Sequence, residues 1–180
     1  MKKYRNIVLF LIKFFATYFI LFAIYSFYLH QTQEKDEVFV CAPITTKVAE
    51  QATNTLQAFG HNANFVQHED ELSVKVLIDD VYLARVIEGC NSISIIVLFI
   101  AFIFAFSGKV IPTILYAIIG SLIIYSINIF RISFLVYMLK MFPEKQTILH
   151  DLVFPAIIYG TTFLLWVIWV NKFSKKKNDA

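Results

Sequence analysis

Three residues far apart in the chain carry the groups needed for acyl transfer to sulfur. Cys90 stands in VIEGCNSISIIVLF, residues 86–99, where a charged segment gives way to an apolar run. Arg131 stands in SINIFRISFLVY with apolar neighbours on both sides, and His150 precedes Asp151 at the start of another apolar run. An ordinary thiol ionises near pH ~8.5 and becomes a nucleophile where a cation or base favours the thiolate. An arginine holds an oxyanion through its hydrogen-bond donors. A histidine hands a proton to a leaving amine. Each residue alone also has an ordinary reading: a cysteine packs at a helix end, an arginine anchors at a membrane boundary, a histidine beside an aspartate caps. Yet the apolar setting of Arg131 is costly for a permanent cation that has neither partner nor task.

The elements that must position these groups read as membrane spans. The chain has 180 residues, 58% of them hydrophobic, with 19 phenylalanines. Its mean hydropathy is +0.67. That is more apolar surface than a soluble domain of this size hides, so the class is an integral membrane protein. A span needs about 20 apolar residues. Four segments qualify: residues 7–29, 91–107, 110–130 and 152–170. The first follows the basic start MKKYR. No small-x-small cleavage pattern follows it, so it reads as a retained anchor rather than a signal peptide. Ser107-Gly108-Lys109 marks a turn, and Pro112 suits the first turn of the next helix. Trp166 and Trp169 suit an interface. Splitting residues 110–142 into two short spans is an alternative, but it leaves each too short and moves the lysine-rich tail to the other side.

Orientation follows the basic residues. Four spans gather Lys2, Lys3, Arg5, Lys109, Lys172 and Lys175 to Lys177 on one side. The segment 31–89 lies opposite, with four Lys/Arg against ten Asp/Glu. Both termini are therefore expected in the cytoplasm. The expected fold is an α-helical multi-pass membrane protein of about four transmembrane helices with a small extracytoplasmic α+β loop region. It divides into an anchor (1–30), the loop (31–89), a membrane core (90–171) and a basic tail (172–180).

Within the loop, residues 46–60 have a helical stripe of Val48, Ala52, Leu56 and Phe59. Three strand-like runs follow, broken at His68–Glu71 and at Asp79-Asp80, and the last, VYLARVI, leads to Cys90. No HExxH or CxxC motif is present, so no metal or cofactor is expected. The group His68-Glu69-Asp70-Glu71 reads as a solvated hairpin turn, and His30 and His61 as interface and loop residues. Basic residues interleaved with aromatics are also lacking, which argues against nucleic acid.

Counting down one span and up the next returns the chain to the outer face near residue 130. Cys90, Arg131 and His150 then share one membrane depth. The connection from 132 to 149 leaves that level and returns, either by extending the third helix outward or by lying in the interface, with Pro143 marking its break. Cys41 faces the same compartment, so it is either a buried or lipid-proximal free thiol, or a disulfide partner that would make Cys90 structural.

In these residues the chain resembles the exosortase/archaeosortase family, in its compact exosortase F form. The corresponding pieces here are EGCNS with Cys90, NIFR with Asn128 and Arg131, and HD with His150 and Asp151. The departure is Asn91-Ser92, where many members have Ser-Gly. The resemblance covers roughly residues 80–165. It implies a membrane-embedded cysteine protease or transpeptidase of the bacterial inner membrane. Such an enzyme cleaves C-terminal sorting signals of exported proteins outside their membrane span and passes them to an envelope acceptor or to water. Cys90 would attack, Arg131 would hold the oxyanion, and His150 would move the proton. Asn128, one turn before Arg131, would orient the guanidinium or substrate. Asp151 would orient His150 or cap the last span. The rival reading is a non-catalytic scaffold or assembly subunit of an envelope export system, with the loop as its binding surface. A transporter is disfavoured by the lack of an inverted repeat and of polar positions within the spans.

Overall fold

The computed structural model describes residues 2–34, 39–106 and 108–174. Three helices are long and apolar enough to cross a membrane: Tyr4–Thr32, Val110–Met141 and Phe154–Lys172. The first lies within α1, Lys2–Thr32, and the second is α4, Val110–Met141. The third begins with α6, Phe154–Trp169. The fourth apolar segment, expected as a span over 91–107, forms a shorter helix. This is α3, Ile93–Ala105, of 13 residues. At about 1.5 Å per residue it measures about 20 Å, less than the hydrocarbon thickness of about 30 Å.

Between α1 and α3 lies a compact α+β unit. Helix α2, Pro43–Ala58, starts at a proline in its first turn and buries Val48, Ala52 and Leu56. The expected stripe ends there, because Phe59 is exposed. The reason is local. Gly60 at φ +86° ends the helix, with Gly60 N–H bonded to Gln57 O at 2.9 Å and His61 N–H to Leu56 O at 3.1 Å. Phe59 is thus the last residue before this left-handed closure, and it borders an open cavity with Leu56, His61, Phe130 and Tyr137. Strands β1 Ala63–Gln67, β2 Ser73–Ile78 and β3 Val81–Ile87 form an antiparallel sheet in the order β1-β2-β3. Asp79 and Asp80 both have positive φ, at 52° and 62°. They make the two-residue reversal that right-twisted hairpins favour.

α4 joins this unit to the membrane bundle. The sequence suggested that the third span ends near Phe130, because about 20 residues from Val110 suffice to cross. The helix continues to Met141, reaching 32 residues. Its C-terminal half is one wall of the α+β core: Ile132 and Val136 are buried with Val48, Ala52, Val74 and Val76. Full burial of each such aliphatic side chain is worth about 1.5–3 kcal/mol. Polar groups reinforce the seam. Tyr125 Oη donates to Gln51 Oε1 at 2.7 Å, Ser133 Oγ to Ala52 O at 3.0 Å, and Lys140 Nζ to Asp79 Oδ2 at 2.6 Å.

Lower in the bundle, α3 packs on α4 where Gly120 meets the Phe99 ring. A Cβ at Gly120 would lie 2.3 Å from that ring. The residue is glycine because nothing larger fits. α1 covers the other side of α3, with Phe10 edge-on to Phe102 and Phe106. Tyr116 Oη of α4 donates to Leu165 O of α6 at 2.8 Å.

After Met141 the chain reverses at Phe142-Pro143 and re-enters helix at once. A tight turn at Pro143–Lys145 leads to α5, Gln146–Ile148, then a wide helical turn at Leu149–Val153, then α6. Of the two paths open for this connection, the extension of the third helix is the one adopted. Lysines 175–177 of the basic tail lie outside the described residues.

A candidate thiol site at the head of the bundle

Cys90 ends a single tight helical turn, Glu88–Cys90, that links β3 to α3. It is half-buried and packs against the core of the α+β unit. Asn128, buried to 1% exposure, points at this turn. Its Nδ2 donates to the carbonyl oxygen of Cys90 at 2.8 Å. The two segments expected to share one depth therefore touch.

Arg131 is half-buried on the same helix. Among the described residues it has no carboxylate partner. Its direction follows from the contacts of its neighbours. Asn128 faces the Cys90 turn, and Phe134 meets Phe154 of α6 with ring centroids 6.3 Å apart. At about 100° per residue, Arg131 stands about 60° from Asn128 and about 60° from Phe134, in the sector between them. It thus leaves α4 between the head of α3 and the head of α6.

His150 and Asp151 lie in the wide turn Leu149–Val153, directly before Phe154. Their side chains are outside the described residues. The backbone there is helical from Gln146 onward, with Ile148 at φ −65°, ψ −42° and Val153 at φ −66°, ψ −47°. Asp151 therefore does not begin a helix, and the capping reading falls, since a cap needs non-helical backbone. Wide turns of this kind inside helices recur at functional sites.

Cys41 and Cys90 are both free thiols. The disulfide alternative is thus not realised. Cys41 is 1% exposed, and burial raises its thiol above the ordinary range. Gln67 lies against it, Nε2 donating to Sγ at 3.6 Å.

Sequence reading missed the groups that hold the turn itself. Asn91 is completely buried. Its Nδ2 donates to Tyr25 Oη at 2.7 Å, to Thr45 Oγ1 at 3.1 Å and to Glu88 Oε2 at 3.4 Å, while its Oδ1 accepts from Ile93 N–H at 3.0 Å. Glu88 Oε1 accepts from Ala42 N–H at 2.8 Å, and Oε2 accepts from the Thr45 hydroxyl. Glu88 thus supplies the carboxylate at the start of α2, whose own first residue offers no side-chain cap. No local pattern announces this cluster, because Tyr25 and Asn91 are 66 positions apart. The one available signal was the pair of polar residues Asn91-Ser92 opening an otherwise apolar run.

The expected hairpin cluster is a surface ion-pair group. Arg85 Nη1 contacts both Glu71 carboxylate oxygens at 2.6 Å, and His68 Nε2 lies 3.4 Å from Glu71. Beside the head of α3 an apolar groove of about 580 Å³ runs between α3 and α4, lined by Ile93, Ile96, Ile100, Ala117 and Ser121 among others.

No protein-family model matches the chain, and no curated protein or solved structure matches it either.

Proposed function

We propose that the chain is a cysteine peptidase or transpeptidase of the exosortase kind. It would act at the outer face of the bacterial inner membrane on the C-terminal sorting signals of exported proteins. The observation that carries the reading is the bond from Asn128 to Cys90 O. It sets the nucleophile beside the helix whose next turn carries Arg131, a cation with no carboxylate partner among the described residues. A second observation supports the resemblance. Ser92 has φ +64°, a conformation glycine adopts freely, and glycine is what the resembled pattern carries at this position.

In the proposed reaction Cys90 Sγ attacks the scissile carbonyl just outside the substrate's apolar span. The carbonyl π electrons move to oxygen, and the Arg131 guanidinium stabilises that oxyanion. The intermediate collapses, the C–N bond breaks, and His150 protonates the departing amine. The span and its basic tail leave with a new N-terminus, and the exported protein remains as a thioester on Cys90. An acceptor amine, or water, gives its proton to His150 and displaces the thiolate. The groove that begins at Ile93, three residues after Cys90, supplies an apolar berth for a substrate span level with the thiol.

In this reading α3, although shorter than the other three, completes a fourth crossing beside α1, α4 and α6, both termini are cytoplasmic, and the α+β unit lies outside. The test compares the C-termini of membrane-anchored exported proteins by mass spectrometry in cells with wild type or Cys90→Ala. Loss of apolar, basic-tailed ends only with wild type is expected. Identical C-termini, with the variant at normal abundance, would favour the scaffold reading.

A further inference from the structure

The backbone around Cys90 is fixed on every side, whereas its thiol is left free. Glu88, two residues before it, is held by Ala42 N–H and the Thr45 hydroxyl. Asn91, directly after it, is held by Tyr25, Thr45 and Glu88. The carbonyl of Cys90 itself is held by Asn128. Among the described residues Cys90 Sγ makes no hydrogen bond. Burying this many polar groups beside an apolar bundle gains little for stability alone, since well-packed apolar residues serve as well or better. What such a cluster does is lock one geometry, which is what a reacting atom requires.

From this we infer that Tyr25, Thr45 and Glu88, acting through Asn91, are positioning residues for the Cys90 thiol. The first membrane helix is then part of the active centre as well as an anchor. The inference rests on the reading of Cys90 as nucleophile, and its test separates the two.

The experiment uses the full chain in lipid vesicles with Cys41→Ala as background. One readout is the rate at which N-ethylmaleimide labels Cys90 per folded molecule. The other is cleavage of a peptide carrying the site read from the C-terminal comparison. The variants are Tyr25→Phe, Thr45→Val and Thr45→Ser, with Leu165→Ala, in the separate core cluster around Phe99 and Trp169, as a destabilising control. Removing one buried hydrogen bond corresponds to about a tenfold change in opening. Tyr25→Phe and Thr45→Val are therefore expected to speed labelling about tenfold and to lower kcat by a similar factor, with KM little changed. Thr45→Ser keeps the hydroxyl and should behave as wild type, while Leu165→Ala should lower the unfolding temperature alone. Unchanged labelling in both Tyr25→Phe and Thr45→Val overturns the positioning role, whatever cleavage shows. Faster labelling in a chain whose Cys90→Ala variant leaves every C-terminus unaltered upholds the clamp and removes the peptidase reading instead.

Discussion

The side-chain amide of Asn128 reaches the main-chain oxygen of Cys90, 38 positions earlier, at 2.8 Å. Replacing Asn128 by leucine leaves that buried carbonyl unpaired, at about 1–3 kcal/mol. Asn128→Asp should be no better, because an ionised carboxylate cannot donate. We expect both to lower the unfolding temperature and to slow cleavage, as read by thermal scans and by C-terminal mass spectrometry.

Arg131 offers a planar fork with several donors, which a lysine ammonium does not reproduce. Loss of one oxyanion donor typically lowers kcat about 10²–10³-fold. Arg131→Gln should fall in that range, and Arg131→Lys should recover only part of it, with protein abundance unchanged in both. A wild-type turnover for Arg131→Gln would remove the oxyanion role.

The two thiols should separate by reactivity. Cys41 is buried and held above the ordinary thiol range by that burial, so it stays protonated and shielded at neutral pH. Cys90 is half-buried at the head of α3. A maleimide pulse on the native protein should modify Cys90 alone, and denaturation should expose both. Mass mapping of the labelled peptides checks this, and fast native labelling of Cys41 would contradict the packing described.

Close approach of α3 and α4 depends on Gly120. A Cβ there lies 2.3 Å from the Phe99 ring, which is fully buried. Gly120→Ala should destabilise by about 1–3 kcal/mol, the usual range for overpacking. The companion Phe99→Leu should recover part of it, measured by thermal unfolding in lipid or detergent.

Arg85 holds the Glu71 carboxyl below the ordinary carboxylate range, chiefly through their hydrogen bond. A lowered folded-state pKa contributes stability that is present in full above the unfolded pKa. That contribution disappears as pH falls through the lowered value. The pair is solvent-exposed, so its effect is small. Unfolding temperatures scanned against pH should show a shallow acid-side decline that Glu71→Gln removes.

The helix, the strands and the breaks between them were legible in residues 46–87 because each follows from local chemistry. Val48, Ala52 and Leu56 repeat at helical spacing, and Asp79-Asp80 tolerates the positive φ of a tight reversal. The full length of α4 was left open between two paths. Past Phe130 the chain is still mostly apolar but exceeds the length a crossing needs, and the helix there packs on α2 and the sheet through Ile132, Ser133 and Val136. The candidate site was legible in part. Cys90 and Asn128 could be brought to one level by counting residues. The ties from Asn91 to Tyr25, Thr45 and Glu88 could not, since long-range polar partners leave no periodic trace.

The shared wall of α4 also has a consequence for biogenesis. Residues 39–90 are synthesised before Ile132 and Val136, yet their core includes both. The α+β unit therefore has one wall missing until the second half of α4 has been made. Synthesis order and folding order are inverted here. A chain truncated before residue 132 would present an unclosed apolar cleft to the quality-control machinery, even though every strand and the whole of α2 had already been made.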